Sequence, residues 1–267
     1  MRRPSTTRRR SIWTCLRCNW TRSGPSWGKK QDHLTPEERA DGKLGDDWDH
    51  VAFAPQSDFV VSVVCGRRTL EETRFLLSDF SKRTDGRLPD LFTSDELANY
   101  QRAILETYGI ETPRTRQGDR GRFPNPILTP PPDLVYALLH KHRRKGVVIK
   151  IDVRQVFGTP DALARALEAS PVSSHVNTAF LERYNGTDRH RNSRKVRKTY
   201  AFSKDWEMHE HATWLSVVGY NFCHAPRTRT KRQANGRRRP HSPAMLQGIA
   251  NRVWAIGDVM RWQVVRP

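Results

Sequence analysis

The residues from Val176 to Lys198 read V-N-T-A-F-L-E-R-Y-N-G-T-D-R-H-R-N-S-R-K-V-R-K. Asparagine is a common helix N-cap, so a helix is expected to begin at Asn177. At 100° per residue, this helix has one apolar arc and an opposite polar arc. The apolar arc comprises Val176, Phe180, Leu181 and Tyr184, and the polar arc comprises Thr178, Glu182, Asn185 and Arg189. Glu182 is therefore predicted to lie on a rigid element, away from its packing face.

The surroundings of Glu182 are strongly basic. Seven of the sixteen residues from Arg183 to Lys198 are Arg or Lys. A carboxylate in such a positive field suits a site that holds a metal ion beside a phosphate backbone. Taken alone, however, a single Glu on a basic helix is more simply explained as a solvated surface residue.

The composition of the whole chain favours a polyanionic partner. The 267 residues include 47 Lys and Arg against 28 Asp and Glu, which gives a formal net charge of +19. The chain is long enough to bury a proper core in one large domain or two small ones. Charge of this size indicates binding to nucleic acid, but it does not distinguish DNA from RNA.

The sequence has no run of about eighteen apolar residues that could span a membrane, and its Arg-rich start lacks the apolar core of a secretory signal. Four cysteines without a disulfide framework suit a reducing compartment. Cys15 and Cys18 have the spacing of zinc ligands, but no second pair follows, so the spacing is better explained as an accident. We therefore expect a cytoplasmic protein.

The central part of the chain alternates between strand and helix signals. Two strands joined as a hairpin are followed by an amphipathic helix with a capping box at Thr69, a short apolar strand that ends in Asp95, and a second helix. These predicted elements span Asp47–Ala54, Phe59–Gly66, Thr69–Arg83, Leu91–Asp95 and Glu96–Tyr108. Ligand sites of α/β sheets lie at such strand ends, although Asp95 alone could equally be a helix N-cap.

Further elements are predicted along the rest of the chain. Arg114–Pro132 is expected to be an exposed loop, Leu134–Lys141 a helix, Val147–Val153 a strand and Pro160–Ala169 a short helix. A later helix carries an apolar series that predicts its core face: Met208, Ala212, Leu215, Gly219 and Phe222. Trp254 is expected to be buried near the end of the chain.

Several ordered motifs in this sequence resemble one family. They are V-N-T-x-x-x-E-R-x-N-x-T from Val176, R-K-x-R-K-T-x-x-F-S-K from Arg194, then E-x-H-E and Y-N-F, together with T-S-D-x-x-x-x-Y from Thr93. This pattern resembles DDE transposases of the insertion-sequence-one type, over about Asp46 to Val259. The resemblance implies an α/β fold of the RNase H-like type, with a mixed sheet flanked by helices, and an enzyme that cuts and joins DNA ends.

By this resemblance, Asp95 and Glu182 are the second and third acids of a catalytic triad that binds Mg²⁺ or Mn²⁺. The basic residues around Glu182 would hold DNA phosphates: Arg183, Arg189, Arg191, Arg194, Lys195, Arg197 and Lys198. The expected partners are the terminal inverted repeats and the target DNA, bound by a homo-oligomer, without any membrane. The protein would be associated with the nucleoid when bound.

The first acid of the triad is missing. In the family it lies in a D-E-x-W motif on the first strand, but this chain has no Asp or Glu before Asp32. Allowed codons for Arg17 to Gly28 can encode V-Q-L-D-E-V-W-S-F-L in a neighbouring frame. We therefore hypothesise a frame slip near Gly28–Lys30. Asp46 is the best remaining candidate for the first acid, although its motif belongs to the family's second strand.

The predicted organisation has a basic, irregular arm over residues 1–31 and a catalytic domain over 32–225. Within that domain, 113–146 is predicted to be a basic, Pro-rich insertion, and 226–267 a basic loop with a helical tail. With the first acid absent, weak or no catalysis is expected. The alternatives are an active transposase that uses Asp46, a transposase-derived DNA-binding relic, and a basic RNA-binding protein.

Overall fold

The computed structural model describes residues 13–20, 35–37, 48–114, 125–145, 147–196, 201, 203, 206–232 and 236–262. The strands are β1 (Trp13–Trp20), β2 (Trp48–Ala54), β3 (Phe59–Gly66), β4 (Leu91–Ser94), β5 (Ile110–Thr112), β6 (Ile127–Thr129), β7 (Tyr136–Arg144), β8 (Val147–Phe157), β9 (Thr230–Arg232) and β10 (Arg238–Pro240). The helices are α1 (Leu70–Arg83), α2 (Asn99–Tyr108), α3 (Pro160–Glu168), α4 (Ala179–Arg191), α5 (Trp206–Val218), α6 (Pro243–Gln247) and α7 (Ile256–Arg261).

Six of the strands form one mixed sheet in the order β3-β2-β1-β4-β7-β8. The three central strands β1, β4 and β7 are parallel to one another. Strands β2 and β3 continue the sheet antiparallel on one side, and β8 pairs antiparallel with β7 on the other. The predicted α/β class and mixed sheet are confirmed.

Strand β1 occupies the middle of this sheet. It pairs with β2 from Cys15 to Trp20 and with β4 from Trp13 to Leu16. The prediction of an irregular arm over residues 1–31 is therefore wrong for Trp13–Trp20. From Leu16 to Trp20 the segment alternates apolar and polar residues, a strand signal that the Arg-rich surroundings obscured, and its backbone completes the hydrogen bonding of two buried neighbouring strands. The remaining residues of that predicted arm lie outside the described part of the chain.

Helices cover both faces of the sheet. Helices α1 and α2 bury Leu76, Phe80 and Ile104 against Phe92 and Tyr136 on one face. On the other face, α4 and α5 pack against alternate residues of β2 and β3. That second core cluster includes Val51, Phe53, Val63, Leu181, Tyr184 and Val217. Successive side chains of a strand point to opposite faces, so a single strand contributes to both cores.

Most of the central elements were predicted close to their observed positions. Strands β2, β3 and β4 and helices α1 and α3 are confirmed within a few residues. The capping box at Thr69 is not formed, since no side-chain cap hydrogen bond is present there. The cap of α3 does form, because the Thr159 hydroxyl accepts a hydrogen bond from the Ala162 amide at 3.2 Å.

The segment Leu134–Lys141 is not helical. Its residues from Tyr136 onward are the first part of β7. This strand forms a long hairpin with β8 through a turn at Lys145, where φ is +50°. The predicted strand Val147–Val153 is confirmed as part of β8. Because β7 pairs with the central strand β4, residues 136–144 belong to the sheet, and this corrects the predicted insertion over 113–146.

The core face of α5 also differs from the predicted one. Met208 and Leu215 are about half exposed, whereas His209, Thr213 and Val217 face the interior. Beyond α5, a short π-helical turn places the Asn221 amide against β3. Asn221 accepts a hydrogen bond from the Val60 amide at 3.0 Å and donates one to the Val60 carbonyl at 2.9 Å. Trp254 is only half-buried, between Phe222 and Trp262.

Candidate metal and nucleic-acid site

Asp95 immediately follows β4 at the carboxyl end of that strand. Its neighbour Ser94 pairs in register with Leu138 of β7. The Ser94 and Tyr136 hydroxyls are 2.6 Å apart and share a hydrogen bond. Burial raises the pKa of Tyr136 to about 12, and the charge of Asp95 also raises it. This position of Asp95, half-buried at a strand end, is the one that the sequence predicted.

Glu182 lies in the first turn of α4 and is partly exposed. The N-cap residue is Thr178 rather than Asn177, although the Asn177 side chain accepts a hydrogen bond from the Ala179 amide at 3.2 Å. The Thr178 hydroxyl donates to Glu182 Oε1 at 3.2 Å. The same Glu182 oxygen accepts a hydrogen bond from the Lys141 ammonium.

Strand β7 links the two acids. Leu138 of β7 is opposite Ser94, the residue before Asp95, and Lys141 lies three residues farther along and contacts Glu182. Asp95 therefore follows a residue that is paired with β7, and Glu182 contacts the same strand through Lys141. Carboxylate oxygens are ligands that Mg²⁺ prefers, so this end of the sheet is the candidate metal site. The Lys141 ammonium already neutralises Glu182 and would compete with a divalent ion.

The central strand supplies no third acid beside them. Leu16 of β1 is opposite Ser94, so Arg17 is the next residue along β1 toward Asp95. The β1 sequence W-T-C-L-R-C-N-W contains no Asp or Glu. Asp46, the remaining candidate for the first acid, lies outside the described residues.

Basic side chains line the outer side of α4. Arg183, Arg189 and Arg191 are exposed, and Arg191 contacts the His224 ring at 2.6 Å. Arg194 is half-buried and donates to the Ser203 hydroxyl at 3.3 Å. The exposure of Arg183, Arg189 and Arg191 leaves them accessible to a phosphate backbone, and their binding to DNA stays a prediction. Arg197 and Lys198 lie outside the described residues.

Lys195 does not belong to this basic surface. Its ammonium lies 2.9 Å from Asp49 and 2.8 Å from Asp188, and only 1% of its side chain is exposed. A buried ammonium between two carboxylates cannot reach a DNA phosphate. The prediction that Lys195 binds DNA is therefore wrong, because the chain after α4 turns inward through the short 3₁₀ helix Ser193–Lys195.

Asp49, Asp188 and Lys195 form the centre of a buried polar network. His209 Nε2 is 3.2 Å from Asp49, and the Ser216 hydroxyl donates to Asp188 at 2.7 Å. Burial by itself would raise the pKa of Asp49, but Lys195 and His209 together hold it well below its usual range. The network joins β2, α4 and α5.

Asp49, Cys65 and His209 also bring three potential metal ligands within 4.8 Å of one another. These residues do not fit a divalent ion, because Asp49 is already paired with the Lys195 ammonium at 2.9 Å. Burial raises the pKa of the Cys65 thiol well above its ordinary value, which disfavours the thiolate that binds metal. This cluster is therefore part of the protein's internal packing.

Comparison with known proteins gives no relative. No protein-family model, no curated protein and no solved structure matches the chain.

Among the described residues, none of the helices combines the length and the apolar character needed to cross a membrane.

Proposed function

We propose that the chain is an RNase H-like, DDE-type transposase domain that binds DNA through the exposed face of α4. Its metal site would consist of Asp95 and Glu182. The observation that carries this proposal is that Asp95 follows a residue paired with β7 and Glu182 contacts Lys141 of that same strand, beside the exposed arginines of α4.

The strand order supports the proposal. The order β3-β2-β1-β4-β7 gives a mixed sheet with helices on both faces, which is the architecture that the RNase H-like resemblance implies. Strand β8 is added at the far edge. In this arrangement the second acid follows β4 and the third begins a helix that covers the sheet, which are the positions of Asp95 and Glu182.

Divalent ions held by the two carboxylates would stabilise negative charge on the attacking and leaving oxygens of a phosphodiester. The protein's own residues would act around them. Arg183, Arg189 and Arg191 would neutralise DNA phosphates and fix the DNA beside α4, without reading its bases. Terminal inverted repeats and target DNA are the expected ligands, bound by a nucleoid-associated, cytoplasmic protein.

The absence of an acid from β1 favours a domain that binds DNA but catalyses poorly. A metal held by two carboxylates lacks the central ligand of the triad, and Lys141 competes for Glu182. The second candidate function, a DNA-binding relic without catalysis, rests on these two observations. A basic RNA-binding protein would leave the placement of Asp95 and Glu182 without an explanation.

A strand-transfer assay separates these functions. Purified protein is incubated with labelled inverted-repeat ends, target DNA and either Mg²⁺ or Mn²⁺, and DNA retention is followed in parallel. We expect retention of DNA with little joined product. Efficient joining that Asp46→Asn abolishes would instead show that Asp46 is the first acid, and preferential retention of single-stranded RNA over duplex DNA would contradict the proposal.

The metal site is tested separately by Mn²⁺ binding, measured from the paramagnetic resonance signal of the unbound ion. Asp95→Asn with Glu182→Gln should abolish Mn²⁺ binding and leave the affinity for non-specific DNA nearly unchanged. Glu168→Gln, at an exposed glutamate on α3, is the matched control and should bind Mn²⁺ as the parent chain does. If the double variant binds Mn²⁺ normally, Asp95 and Glu182 do not hold the metal.

A further inference from the structure

Strand β8 presents an unusually apolar surface for an exposed edge. Val147, Ile149, Ile151 and Val153 alternate along the strand and are 66%, 63%, 53% and 49% exposed. β8 pairs regularly with β7 from Lys150 to Gln155, so Ile151 and Val153 share one face; Ile149 lies at an irregularity, between Lys150 opposite His142 and Val148 opposite Arg143. Ile151 is opposite Lys141 of β7, which contacts Glu182, so Ile151 and Val153 lie on the same side of the sheet as α4.

The backbone at the outer edge of β8 is also open. Within the described part of the chain, β8 is the last strand of the sheet and pairs only with β7. A long, apolar edge strand is a template for pairing with another strand. The edge at β3 differs, because the Asn221 side chain is hydrogen-bonded to both the amide and the carbonyl of Val60.

The sequence of β8 is complementary to itself. When two copies are placed antiparallel with Ile151 opposite Ile151, Ile149 lies opposite Val153 of the second copy. In the same register, Lys150 lies opposite Asp152 of the second copy, and the reciprocal pair is formed as well. Directly opposed side chains in an antiparallel pair lie on the same face, so apolar residues meet apolar residues and opposite charges meet.

Other registers are less favourable. A shift of one residue would place apolar side chains opposite polar ones. A slide of two residues keeps the faces matched but opposes either Lys150 with Lys150 or Asp152 with Asp152 of the second copy. Like charges directly opposite each other destabilise a strand pair. Of these five registers, the match of apolar residues excludes two and the like charges exclude two, which leaves the register centred on Ile151.

We propose that β8 is a homodimerisation strand, which pairs antiparallel with β8 of a second copy about a two-fold axis at Ile151. The two six-stranded sheets then form one continuous sheet of twelve strands. Asp152 now lies 2.9 Å from Lys150 and 2.7 Å from His142 of its own chain, and in the dimer it also faces Lys150 of the second copy. Because both copies use the same surface, this interface is complete in a dimer and leaves no second β8 edge for a third copy.

This pairing sets the spacing of the two candidate metal sites, if the proposed function also holds. Lys141 lies opposite Ile151, so three strand spacings of ~4.8 Å separate Lys141 of one copy from Lys141 of the other. The two Lys141 backbones would be about 14 Å apart across the axis. The dimer itself does not depend on the proposed function.

Charge reversal tests the register. The parent chain should sediment with twice its mass of 30.9 kDa, in enough salt to screen its positive charge. Lys150→Asp and Asp152→Lys should each be monomeric, because each variant opposes like charges in its own homodimer. An equal mixture of the two variants should dimerise, since every opposed pair in the mixed dimer then has opposite charges. Circular dichroism and thermal unfolding establish that both variants fold.

Cysteine cross-linking tests the axis. Ile151→Cys should form a covalent dimer under mild oxidation, because the two side chains lie directly opposite each other. Val147→Cys, equally exposed on the same strand, should not, since its opposite residue is Gln155 of the second copy. A parent chain that stays monomeric at high concentration, a dimer that survives both charge reversals, or equal cross-linking at both positions would overturn the proposal.

Discussion

The ammonium of Lys195 lies 2.9 Å from a carboxylate oxygen of Asp49, and both side chains are almost completely buried. Asp188 contacts the same ammonium from α4, so one lysine neutralises two acids in the interior. Charges removed from water are tolerated only where they are paired and hydrogen-bonded. This arrangement fixes the path of the chain after α4 and holds α4 against β2.

Lys195→Met should therefore destabilise the protein strongly. The variant keeps the length of the side chain but leaves Asp49 and Asp188 as buried, like-charged neighbours. Breaking a buried ion pair by removing one partner costs about 3–5 kcal/mol. We expect the free energy of unfolding to fall by about this amount, measured by urea denaturation at neutral pH.

The control for Lys195→Met removes the two acids as well. Lys195→Met combined with Asp49→Asn and Asp188→Asn leaves no unpaired buried charge and should recover part of the lost stability. A single Lys195→Met variant as stable as the parent chain would show that Lys195 is not buried in solution.

Stability should decline in acid because of Asp49. The Asp49 pKa is held below its ordinary value in the folded protein, where burial is outweighed by Lys195 and His209. A carboxyl with a depressed folded pKa contributes stability above its unfolded pKa of about 3.9, and this contribution is lost as the pH falls through the folded value. The stability difference between the parent chain and Asp49→Asn should therefore shrink below about pH 4.

The same network limits stability in alkali. Burial alone would lower the pKa of Lys195, but Asp49 and Asp188 raise it above its ordinary value. Its contribution is therefore complete below the unfolded pKa of about 10.4 and is lost as the pH rises through the folded value. The stability difference between the parent chain and Asp49→Asn in denaturant unfolding should therefore decline above about pH 10. A difference that stays unchanged at such alkaline pH would contradict the assignment.

Asn221→Leu should weaken the attachment of the turn after α5 to β3. The amide satisfies both backbone groups of Val60, and leucine of similar size would leave them buried without these hydrogen bonds. Unsatisfied buried groups cost about 1–3 kcal/mol each, so a loss of at least about 2 kcal/mol is expected in denaturant unfolding. Asn251→Leu, at an exposed asparagine, should change stability little.

Arg183→Ala should reduce the affinity for duplex DNA equally for all sequences. One lost phosphate contact also lowers the slope of log affinity against log salt by about 0.9. Fluorescence anisotropy over a salt series measures both quantities. The control Arg87→Ala removes an arginine that is 64% exposed and follows α1, on the opposite face of the sheet. Equal losses at the two positions would show that α4 is not the DNA surface.

The central elements could be predicted from the sequence because their local patterns agree with their environment. β2 and β3 are runs rich in apolar residues, and α1 has a regular apolar face that packs as expected. Leu134–Lys141 was misassigned, because Y-A-L-L is compatible with either a helix or a buried strand. Pairing with β4 on one side and β8 on the other decides in favour of a strand, and this information is not local.

The core face of α5 shows a different limit. Hydrophobic spacing favoured Met208 and Leu215, but His209 and Thr213 are the buried residues. The reason is the buried pair of Asp49 and Lys195, which His209 joins. A polar interior of this kind depends on partners more than a hundred residues apart, and no periodicity in the helix itself reports it.

For the candidate site, the motifs identified Asp95, which follows a strand paired with β7, and Glu182, which contacts β7; that the two acids hold a metal stays a prediction. Lys195 could not be distinguished from the surface arginines near it, since the sequence R-N-S-R-K does not show which cation turns inward. The strand at Trp13–Trp20 carries a short alternating pattern from Leu16 to Trp20, but the Arg-rich and Ser-rich residues around it favoured an irregular arm.

The Asn221 amide has a consequence for how far the protein can assemble. With Val60 already engaged, the beginning of β3 is less available to a neighbouring strand than β8 is. Association through β8 uses the open apolar edge in a single step. Further growth of the sheet would have to start from the remaining part of β3.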